Sequence, residues 1–343
     1  MDIQDIKKDF ILRFGGEEER IRCFCVGNSI KILGIGLEKV ENGRYEVLLS
    51  IKTTISIREN EKCVFSYQLS DSNEEYSCDL DALENCNKKG QEKEIFETIK
   101  NHKGKIEGAD ILFSFDVNND KFKKLKESLI LGLAKLNNNF NKENNCEMSG
   151  RKNSLYHINK DNDIEYIPFN LNGYKVILAL TDIKKEDISG KIKKAYANLK
   201  RENKNIKSVQ DISELSPDRV DSDEKYLINE LRRCELSKKM LKETGGYIKG
   251  IENLLKASYK ELSSIMNKGK SIYENIYLSA EKTGYMEGIF ILHEIGGVGV
   301  LVKDENVDDF MKEFTKNHEE GIGEKPELYV CDSCDGGVEI RES

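Results

Sequence analysis

The sequence predicts an α+β fold with two domains. The chain has 343 residues, more than a single hydrophobic core usually serves. Segments with alternating or β-branched apolar residues predict strands, and segments with apolar residues three and four positions apart predict helices. Both kinds of segment recur along the chain. This mixture is typical of helices packed on mixed sheets.

The N-terminal part of the chain predicts one helix followed by strands. The apolar pattern of residues 3–12 predicts a short amphipathic helix that ends near the glycine pair at 15–16. The polar stretch 70–90 predicts a loop or a short helix. The strands are predicted over 21–26, 45–57 and 109–117.

The middle of the chain predicts a strong helix, a hairpin and a strand. Leucines at three- and four-residue steps give residues 122–136 one apolar face, and the asparagine-rich stretch 137–145 ends that helix. A hairpin is predicted over 154–169 and a buried strand over 174–180. The very basic stretch 184–207 predicts a solvated helix or a mobile connection.

The C-terminal part predicts helices first and strands later. Residues 223–265 are helical in pattern, and Gly245-Gly246 marks a break between two helices. A further helix is predicted over 307–317. The strands are predicted over 289–292, 296–302 and 328–331.

Composition excludes several classes of function. The net charge of −8 argues against nucleic acid or an anionic membrane as a partner, because both need an excess of Lys and Arg. No apolar run is long enough to span a bilayer, and the N-terminus has no apolar signal core. Nine scattered cysteines indicate a reducing compartment, so a cytoplasmic location is expected.

The closing segment resembles the closing strand of galactokinases. Lys325 to Cys331 reads KPELYVC and is followed by Gly336-Gly337, which is similar to the family's Pro-x-aromatic-Tyr-Val-Cys stretch before Gly-Ala. Three further parts of the chain resemble the family in the same order, and they lie at 14–34, 108–136 and 246–262. Galactokinases belong to the GHMP superfamily of small-molecule kinases.

The resemblance implies a two-domain GHMP kinase fold with the active site in a cleft between the domains. We expect an N-terminal galactokinase-like domain over residues 1–172 and a C-terminal domain over 173–343. The activity that the family implies is ATP-dependent phosphorylation of galactose at its anomeric hydroxyl, with ATP and magnesium as cofactors.

The counterpart of the family's phosphate loop has lost its glycines. In the family, Asp-Val-Pro-x-Gly-x-Gly-Leu-Ser-Ser-Ser-Ala lets backbone amides approach the phosphates. Here residues 116–127 read DVNNDKFKKLKE, and Phe122 replaces a position that needs no side chain. Lys123 and Lys126 are the candidate phosphate ligands, but lysines beside an apolar stripe more often form a solvated face. Point charges do not replace a backbone cradle.

The counterpart of the sugar and catalytic motif has also changed. The family reads Gly-Arg-Val-Asn-Leu-Ile-Gly-Glu-His-Thr-Asp, and the resemblance assigns its Arg to phosphoryl transfer and its Glu, His and Asp to sugar hydroxyls. Here Ser29 stands at the Arg position, and Ile35 and Gly36 stand at the Glu-His pair. Glu38 keeps a carboxylate and is the candidate sugar ligand. A site without polar groups loses affinity for hydroxyls.

The catalytic aspartate has no direct counterpart. The family's Gly-x-Met-Asp-Gln before a Gly-Lys-Lys turn corresponds to Cys146-Glu147-Met148-Ser149 running directly into Gly150. Glu147 is the candidate base. Phosphoryl transfer depends on positioning and electrostatics, so a displaced base and a missing arginine should together be crippling.

Two other motifs allow alternative interpretations. Gly296-Gly297-Val298-Gly299 could bind phosphate, but a turn that enters a strand is the simpler interpretation. Cys331 and Cys334 have the spacing of a redox or half-zinc site, which Cys23 and Cys25 could complete. The four histidines show no metal-ligand spacing, so no metal site is expected.

The sequence therefore supports two hypotheses. The first is a pseudokinase whose ATP, sugar and catalytic motifs are degenerate, with no cofactor and with a small-molecule or sugar ligand, or a protein partner that the sequence does not identify. The second is an active sugar kinase with a rebuilt site that uses Lys123 or Lys126 on phosphate, Glu147 as base and Glu38 on sugar.

Overall fold

The computed structural model describes residues 2–40, 44–79, 90–117, 119–137, 146–159, 163–181, 186–266 and 270–341. Two sheets and ten α-helices lie in these ranges. The helices are α1 (Ile3–Phe14), α2 (Gly90–His102), α3 (Leu125–Leu136), α4 (Cys146–Ser149), α5 (Ile188–Glu202), α6 (Val209–Ser213), α7 (Ser222–Thr244), α8 (Glu252–Ile265), α9 (Lys270–Lys282) and α10 (Val307–Ile322).

The twelve strands have the following bounds: β1 (Arg22–Leu33), β2 (Arg44–Glu59), β3 (Val64–Leu69), β4 (Glu75–Asp79), β5 (Ala109–Phe115), β6 (Ser154–Ile158), β7 (Ile164–Pro168), β8 (Tyr174–Leu180), β9 (Gly288–Ile291), β10 (Gly297–Lys303), β11 (Glu327–Cys331) and β12 (Val338–Ile340).

The chain divides into two compact units that are interleaved in sequence. The first unit holds residues 1–28, 48–151 and 334–343, and the second holds 29–47 and 152–333. These units differ from the expected continuous domains 1–172 and 173–343. The chain leaves the first unit within β1 and returns within β2, and its C-terminal strand β12 pairs with β1.

The first unit is built on a sheet in the order β12-β1-β2-β5-β3-β4. Alternation along β1 serves two cores: Phe24 and Val26 pack with α2 and α3, while Cys23 packs with α1. Leu112 on β5 likewise packs toward α1, and its neighbours Ile111 and Phe113 pack toward the other core.

The second unit contains an antiparallel sheet in the order β11-β8-β10-β9. Helix α8 packs on β9, and α5, α8 and α6 pack on α7. The β6–β7 hairpin pairs with the first residues of β2, at Arg44 to Val47. Asp221 caps α7 by accepting from the Glu224 amide, and Gly245 ends it in the left-handed conformation.

Several predicted elements are confirmed and others need correction. The helices at 3–12, 223–265 and 307–317, the hairpin and the other strands are present. The helix predicted over 122–136 begins only at Leu125, because Phe122 lies in a 3-10 turn before it. Leu12, predicted on the apolar face of α1, is 85% exposed. The stretch 70–90 contains strand β4, and its residues 80–89 lie outside the described part. The basic stretch 184–207 contains α5, which buries one face instead of being solvated all round.

Candidate functional site

A closed 3-10 turn stands where the family has its phosphate loop. Asp120–Phe122 forms this turn, and the Asn119 side chain caps it by accepting from the Lys121 amide at 3.0 Å. Phe122 is only 3% exposed. Its backbone carbonyl accepts from Asn28 Nδ2 at 3.0 Å and from Thr53 Oγ1 at 3.4 Å. Side chains of β1 and β2 therefore fix a turn whose core position is filled by a phenyl ring.

Lys123, the first candidate phosphate ligand, is occupied by carboxylates. Its Nζ lies 2.5 Å from Asp71 Oδ2 and 2.7 Å from Asp120 Oδ1, and it lies over the Phe115 ring at 4.8 Å from the centroid. Burial lowers the pKa of the Lys123 ammonium, but hydrogen bonds to Asp120 and Asp71 outweigh burial and raise it above its ordinary value. Lys123 therefore stays charged, and two carboxylates balance its charge.

Lys126, the second candidate, lies in the first turn of α3 and is exposed. Helix α3 begins after Lys124, which provides no side-chain cap. The amide of Lys124 donates to Thr53 Oγ1 at 2.9 Å instead. Among the candidates in this segment, Lys126 is the lysine most open to solvent.

The candidate base, Glu147, is buried beside a lysine. Its Oε1 lies 3.2 Å from Lys124 Nζ, and the residue is 8% exposed. The Glu147 carboxylate thus already has a cationic partner within the first unit. The structure thus places Lys123, Lys126 and Glu147 in the first unit and joins Glu147 to Lys124 rather than to either candidate lysine.

Two hydrogen bonds with side chains of α7 fix the backbone of the sugar-motif counterpart. The amide of Gly34 donates to Glu230 Oε1 at 2.8 Å, and the carbonyl of Ile35 accepts from the Tyr226 hydroxyl at 3.1 Å. Ile35 is 3% exposed. Gly36 has φ +88, and a Cβ there would lie 2.9 Å from Ile192, so this turn requires glycine. The residues at the family's Glu-His positions thus pack inside the second unit.

Glu230 is the centre of a buried ionic network that sequence reasoning missed. It is 0% exposed, and it accepts from Ser258 Oγ at 3.0 Å and from Arg233 Nε at 2.8 Å. Arg233 also donates to Glu261 Oε2 at 2.9 Å. Burial lowers the pKa of Arg233, and the charges of Glu230 and Glu261 outweigh it and raise it. The sequence signal was a glutamate inside the apolar stripe of α7, which is typical of a buried network.

Glu38, the candidate sugar ligand, lies in the second unit near Lys31. Its Oε1 accepts from Ser189 Oγ at 2.8 Å and lies 3.6 Å from Lys31 Nζ. Its buried Oε2 has no hydrogen-bond partner. Lys31 is held more closely by Glu294, at 2.7 Å. Glu38 is thus largely engaged with its own unit.

Ser29, at the family's arginine position, lines a small pocket in the second unit. The pocket has a volume of about 30 Å³ and is also lined by Ile30, Lys31 and the turn from Leu292 to Ile295. Such a volume accommodates water rather than a hexose. A serine hydroxyl there carries no charge for a transferring phosphoryl group.

The glycine-rich segment forms the turn that the sequence predicted. It connects β9 to β10, and the Gly296 amide donates to the Leu292 carbonyl at 2.8 Å. Gly297 has φ +144, and a Cβ there would lie 2.4 Å from the Ala179 carbonyl oxygen. A Cβ at Gly299 would enter the Phe290 ring. These glycines serve close packing.

The cysteine motif gives no metal cluster among the described residues, where no group of three or more His, Cys, Asp or Glu side chains could hold an ion. Cys331 and Cys334 are both buried. Cys334 Sγ donates to the Leu49 carbonyl at 3.2 Å. Within the same ranges, the helices are all too short or too polar to cross a membrane.

Two curated galactokinases are similar to part of the chain. The protein from Levilactobacillus brevis is 24% identical over 194 residues, which are 52% of this chain and 50% of the relative. The protein from Clostridium acetobutylicum is 23% identical over 195 residues, with the same coverage of 52% and 50%. The chain thus spans about half the length of the curated relatives it matches. No protein-family model matches the chain.

Solved structures resemble nearly the whole chain. Lactococcus lactis galactokinase complexed with galactose has a TM-score of 0.76 at 17% identity, covering 98% of this chain and 100% of that one. Methanococcus jannaschii mevalonate kinase has a TM-score of 0.64 at 14% identity, with coverage of 91% and 98%. Homoserine kinase from Cytophaga hutchinsonii has a TM-score of 0.55 at 9% identity, with coverage of 95% and 99%.

These likenesses confirm the resemblance found in the sequence motifs. At such identities, a structural likeness establishes the fold and leaves activity open, because one fold hosts many functions. The chain is galactokinase-like and has the α+β fold of the GHMP small-molecule kinases.

Proposed function

We propose that this protein is a pseudokinase, a galactokinase-like protein that does not phosphorylate galactose efficiently and that senses a small ligand or binds a partner. The observation that carries the proposal is the closed turn before α3. Phe122 is buried there, and its carbonyl is bound by Asn28 and Thr53. A backbone phosphate cradle needs free amides and no side chain at its floor.

The sugar segment supports the proposal. Ile35 stands where the family has a carboxylate, and it is buried with its carbonyl bound to Tyr226. A galactose hydroxyl would find an apolar side chain and an occupied backbone group at this position. Specificity for hydroxyls requires buried polar groups that become paired when the sugar binds.

The catalytic groups support it as well. Glu147 is paired with Lys124, and Ser29 replaces the arginine. Phosphoryl transfer relies on a positioned base and on positive charge at the transferring group. An inherited scaffold without these groups retains a fold for binding and loses its means of catalysis. No nucleotide or metal cofactor is needed for such a role, and we propose a cytoplasmic location for it.

One observation favours the alternative of an active sugar kinase with a rebuilt site. Lys126 is exposed in the first turn of α3, where a cation could meet a phosphate. This alternative needs ATP and magnesium, with Glu147 as base and Glu38 on the sugar. Both carboxylates would first have to leave their present partners, Lys124 and Ser189.

The experiment is to incubate the purified full chain with Mg-ATP and a panel of sugars that includes galactose, and to record ADP release and thermal shift together. Lactococcus lactis galactokinase serves as the positive control. We expect no sugar-dependent ADP release. A thermal shift without ADP release identifies a sensor, and no response to either ligand favours partner binding. Sugar-dependent ADP release that Glu147→Gln abolishes would establish the alternative.

A further inference from the structure

The turn that leads into β8 contains an asparagine directly followed by a glycine. The sequence has two such pairs, Asn42-Gly43 and Asn172-Gly173, and the second lies in the described part of the chain. The Tyr174 amide donates to the Leu171 carbonyl at 2.9 Å and closes the turn. Gly173 is the third residue of this turn and has φ +79, a value that glycine adopts at little cost. The local fold therefore favours a glycine immediately after an exposed asparagine.

An asparagine in front of a glycine can lose its side-chain amide without an enzyme. The backbone nitrogen of the glycine gives up its proton and bonds to the asparagine Cγ, and the side-chain nitrogen leaves as ammonia. Water then opens the cyclic imide at either carbonyl, which yields aspartate or isoaspartate. Water is the only co-reactant, and no group is oxidised or reduced. Glycine favours the attack because it has no side chain in the way and adopts many backbone conformations.

The reacting groups of this turn are accessible. Asn172 and Gly173 are both exposed, and a Cβ at Gly173 would meet no atom within 4 Å. Among the described residues, neither the Gly173 amide nor the Asn172 side-chain nitrogen donates a hydrogen bond. The Asn172 side-chain oxygen accepts from Asn153 Nδ2 at 3.4 Å, which is near the upper limit for a hydrogen bond. The attacking nitrogen and the leaving nitrogen are thus unengaged within these ranges, and the hydrogen bond to the side chain is weak.

We propose that Asn172 is a site of spontaneous deamidation, at which the chain converts a side-chain amide into a carboxylate or an isoaspartyl backbone linkage. The inference goes beyond the proposed function and does not depend on whether the protein is a kinase. The isoaspartyl linkage adds one carbon to the backbone of the turn and so displaces Gly173 and Tyr174. The Gly173 carbonyl accepts from the Asp304 amide at 3.0 Å, and β8 pairs with β10 from Tyr174 onward. Isoaspartate at position 172 therefore loosens the start of β8.

The test is incubation of the folded full chain at mildly alkaline pH, followed by peptide mapping with mass spectrometry that quantifies aspartate and isoaspartate at each asparagine. Asn253 is the internal control, because it is also exposed but precedes Leu254 within α8. We expect Asn172 to convert at least about tenfold faster than Asn253, which corresponds to a barrier lower by about 1.4 kcal/mol. The rate should rise with pH, because the attacking nitrogen has to lose its proton.

Three variants test the assignment of the reacting groups. Gly173→Ala places a methyl group on the attacking residue and should slow the conversion of Asn172 at least about tenfold. Asn172→Ser removes the amide and should eliminate isoaspartate from this turn. Asn253→Ser is the matched control and should leave that isoaspartate unchanged.

Conversion of Asn172 no faster than that of Asn253 in the folded wild-type chain would overturn the proposal, and this comparison needs no variant. Equal rates in the wild type and in a folded Gly173→Ala protein would overturn it as well. After incubation, the wild type should melt at a lower temperature than Asn172→Ser incubated in parallel. Equal melting temperatures would contradict the effect assigned to β8. Sugar-dependent ADP release by the wild type would refute only the proposed function.

Discussion

At the scale of single residues, the buried ring of Phe122 fills the core side of the turn before α3. The ring is buried in the first unit, while the neighbouring Lys121 in the same turn is exposed. A glycine at 122 would restore one of the family's loop glycines but would remove the ring that fills the core side of the turn.

Phe122→Gly should therefore destabilise the protein by about 3–5 kcal/mol, because it creates a cavity and adds the flexibility of glycine. Lys121→Gly is the matched control and should cost only about 1 kcal/mol. Chemical denaturation with circular dichroism measures both. Equal costs for the two variants would mean that the ring does not support the turn.

Ile35 is likewise a buried apolar residue at a position where the family has a polar one. Ile35→Glu restores the family's carboxylate at a position that is 3% exposed. We expect it to destabilise folding by about 3–5 kcal/mol, since a charge would be buried without a partner. Ile35→Val, the control, should cost about 0.5–1.5 kcal/mol. A stable Ile35→Glu protein with a galactose-induced thermal shift would show that the position faces a usable sugar site.

At the scale of elements, Glu230 connects α7 to two other parts of the second unit. This carboxylate joins the Gly34 turn to α7 and α8, and it pairs with Arg233. Glu230→Ala should cost about 3–5 kcal/mol, because Arg233 loses one of its two carboxylates inside the protein.

Glu235 provides the control on the same helix. It is exposed, so Glu235→Ala should change stability by about 0.5 kcal/mol or less. Urea melts of the two variants give the comparison. A cost for Glu230→Ala as small as that for Glu235→Ala would remove the buried network from the account.

The β6–β7 hairpin is joined to α7 by Glu165, which contacts Lys238 and lies 2.6 Å from Lys242. Burial raises the pKa of Glu165, but the hydrogen bonds from Lys238 and Lys242 outweigh it and lower the pKa to about 2. Because the pKa of Glu165 is lower in the folded than in the unfolded protein, its ion pairs stabilise the fold at pH values above the unfolded pKa, which is near 4.5. This stabilisation is lost as the pH falls toward 2.

The stability difference between wild type and Glu165→Gln should thus be constant above about pH 5.5 and shrink between about pH 4.5 and 2. Thermal melts across this range measure it. The side chain is 37% exposed, so salt should reduce the difference. A difference that grows on acidification would contradict the assigned ion pairs.

Elements with strong apolar periodicity were predictable, and those that depend on distant partners were not. Helix α3 and the β8 strand follow directly from their leucines and branched residues. Strand β4 is polar and gains its structure from pairing with β3, so its sequence suggested a loop. In α5, the buried residues Ile188, Ile192, Ala195 and Leu199 do follow a helical period, but the many lysines between them obscured it.

The candidate site also has features that the sequence predicts and features that it does not. The missing glycines and arginine could be predicted, because they are absences at aligned positions. The partners that close the site could not, because they lie far away in sequence: Asp71 is 52 residues from Lys123, and Glu230 is 196 residues from Gly34. Such pairings are set by the tertiary fold.

At the scale of the whole molecule, the chain has the fold of the GHMP small-molecule kinases, and we propose that its local chemistry differs from theirs. The phosphate-loop counterpart belongs to the first unit and the sugar-motif counterpart to the second, and each is closed by contacts within its own unit. Because the two segments are held by separate sets of contacts, a single substitution would open at most one of them. We therefore expect single restorations of family residues to destabilise the protein and not to restore activity.

The most direct measurement of the central claim is detection of galactose 1-phosphate by phosphorus NMR after prolonged incubation of the full chain with Mg-ATP and galactose. The account predicts no product above the level of a reaction without protein, while Lactococcus lactis galactokinase under the same conditions forms it. Product that accumulates in proportion to the amount of this protein would contradict the account.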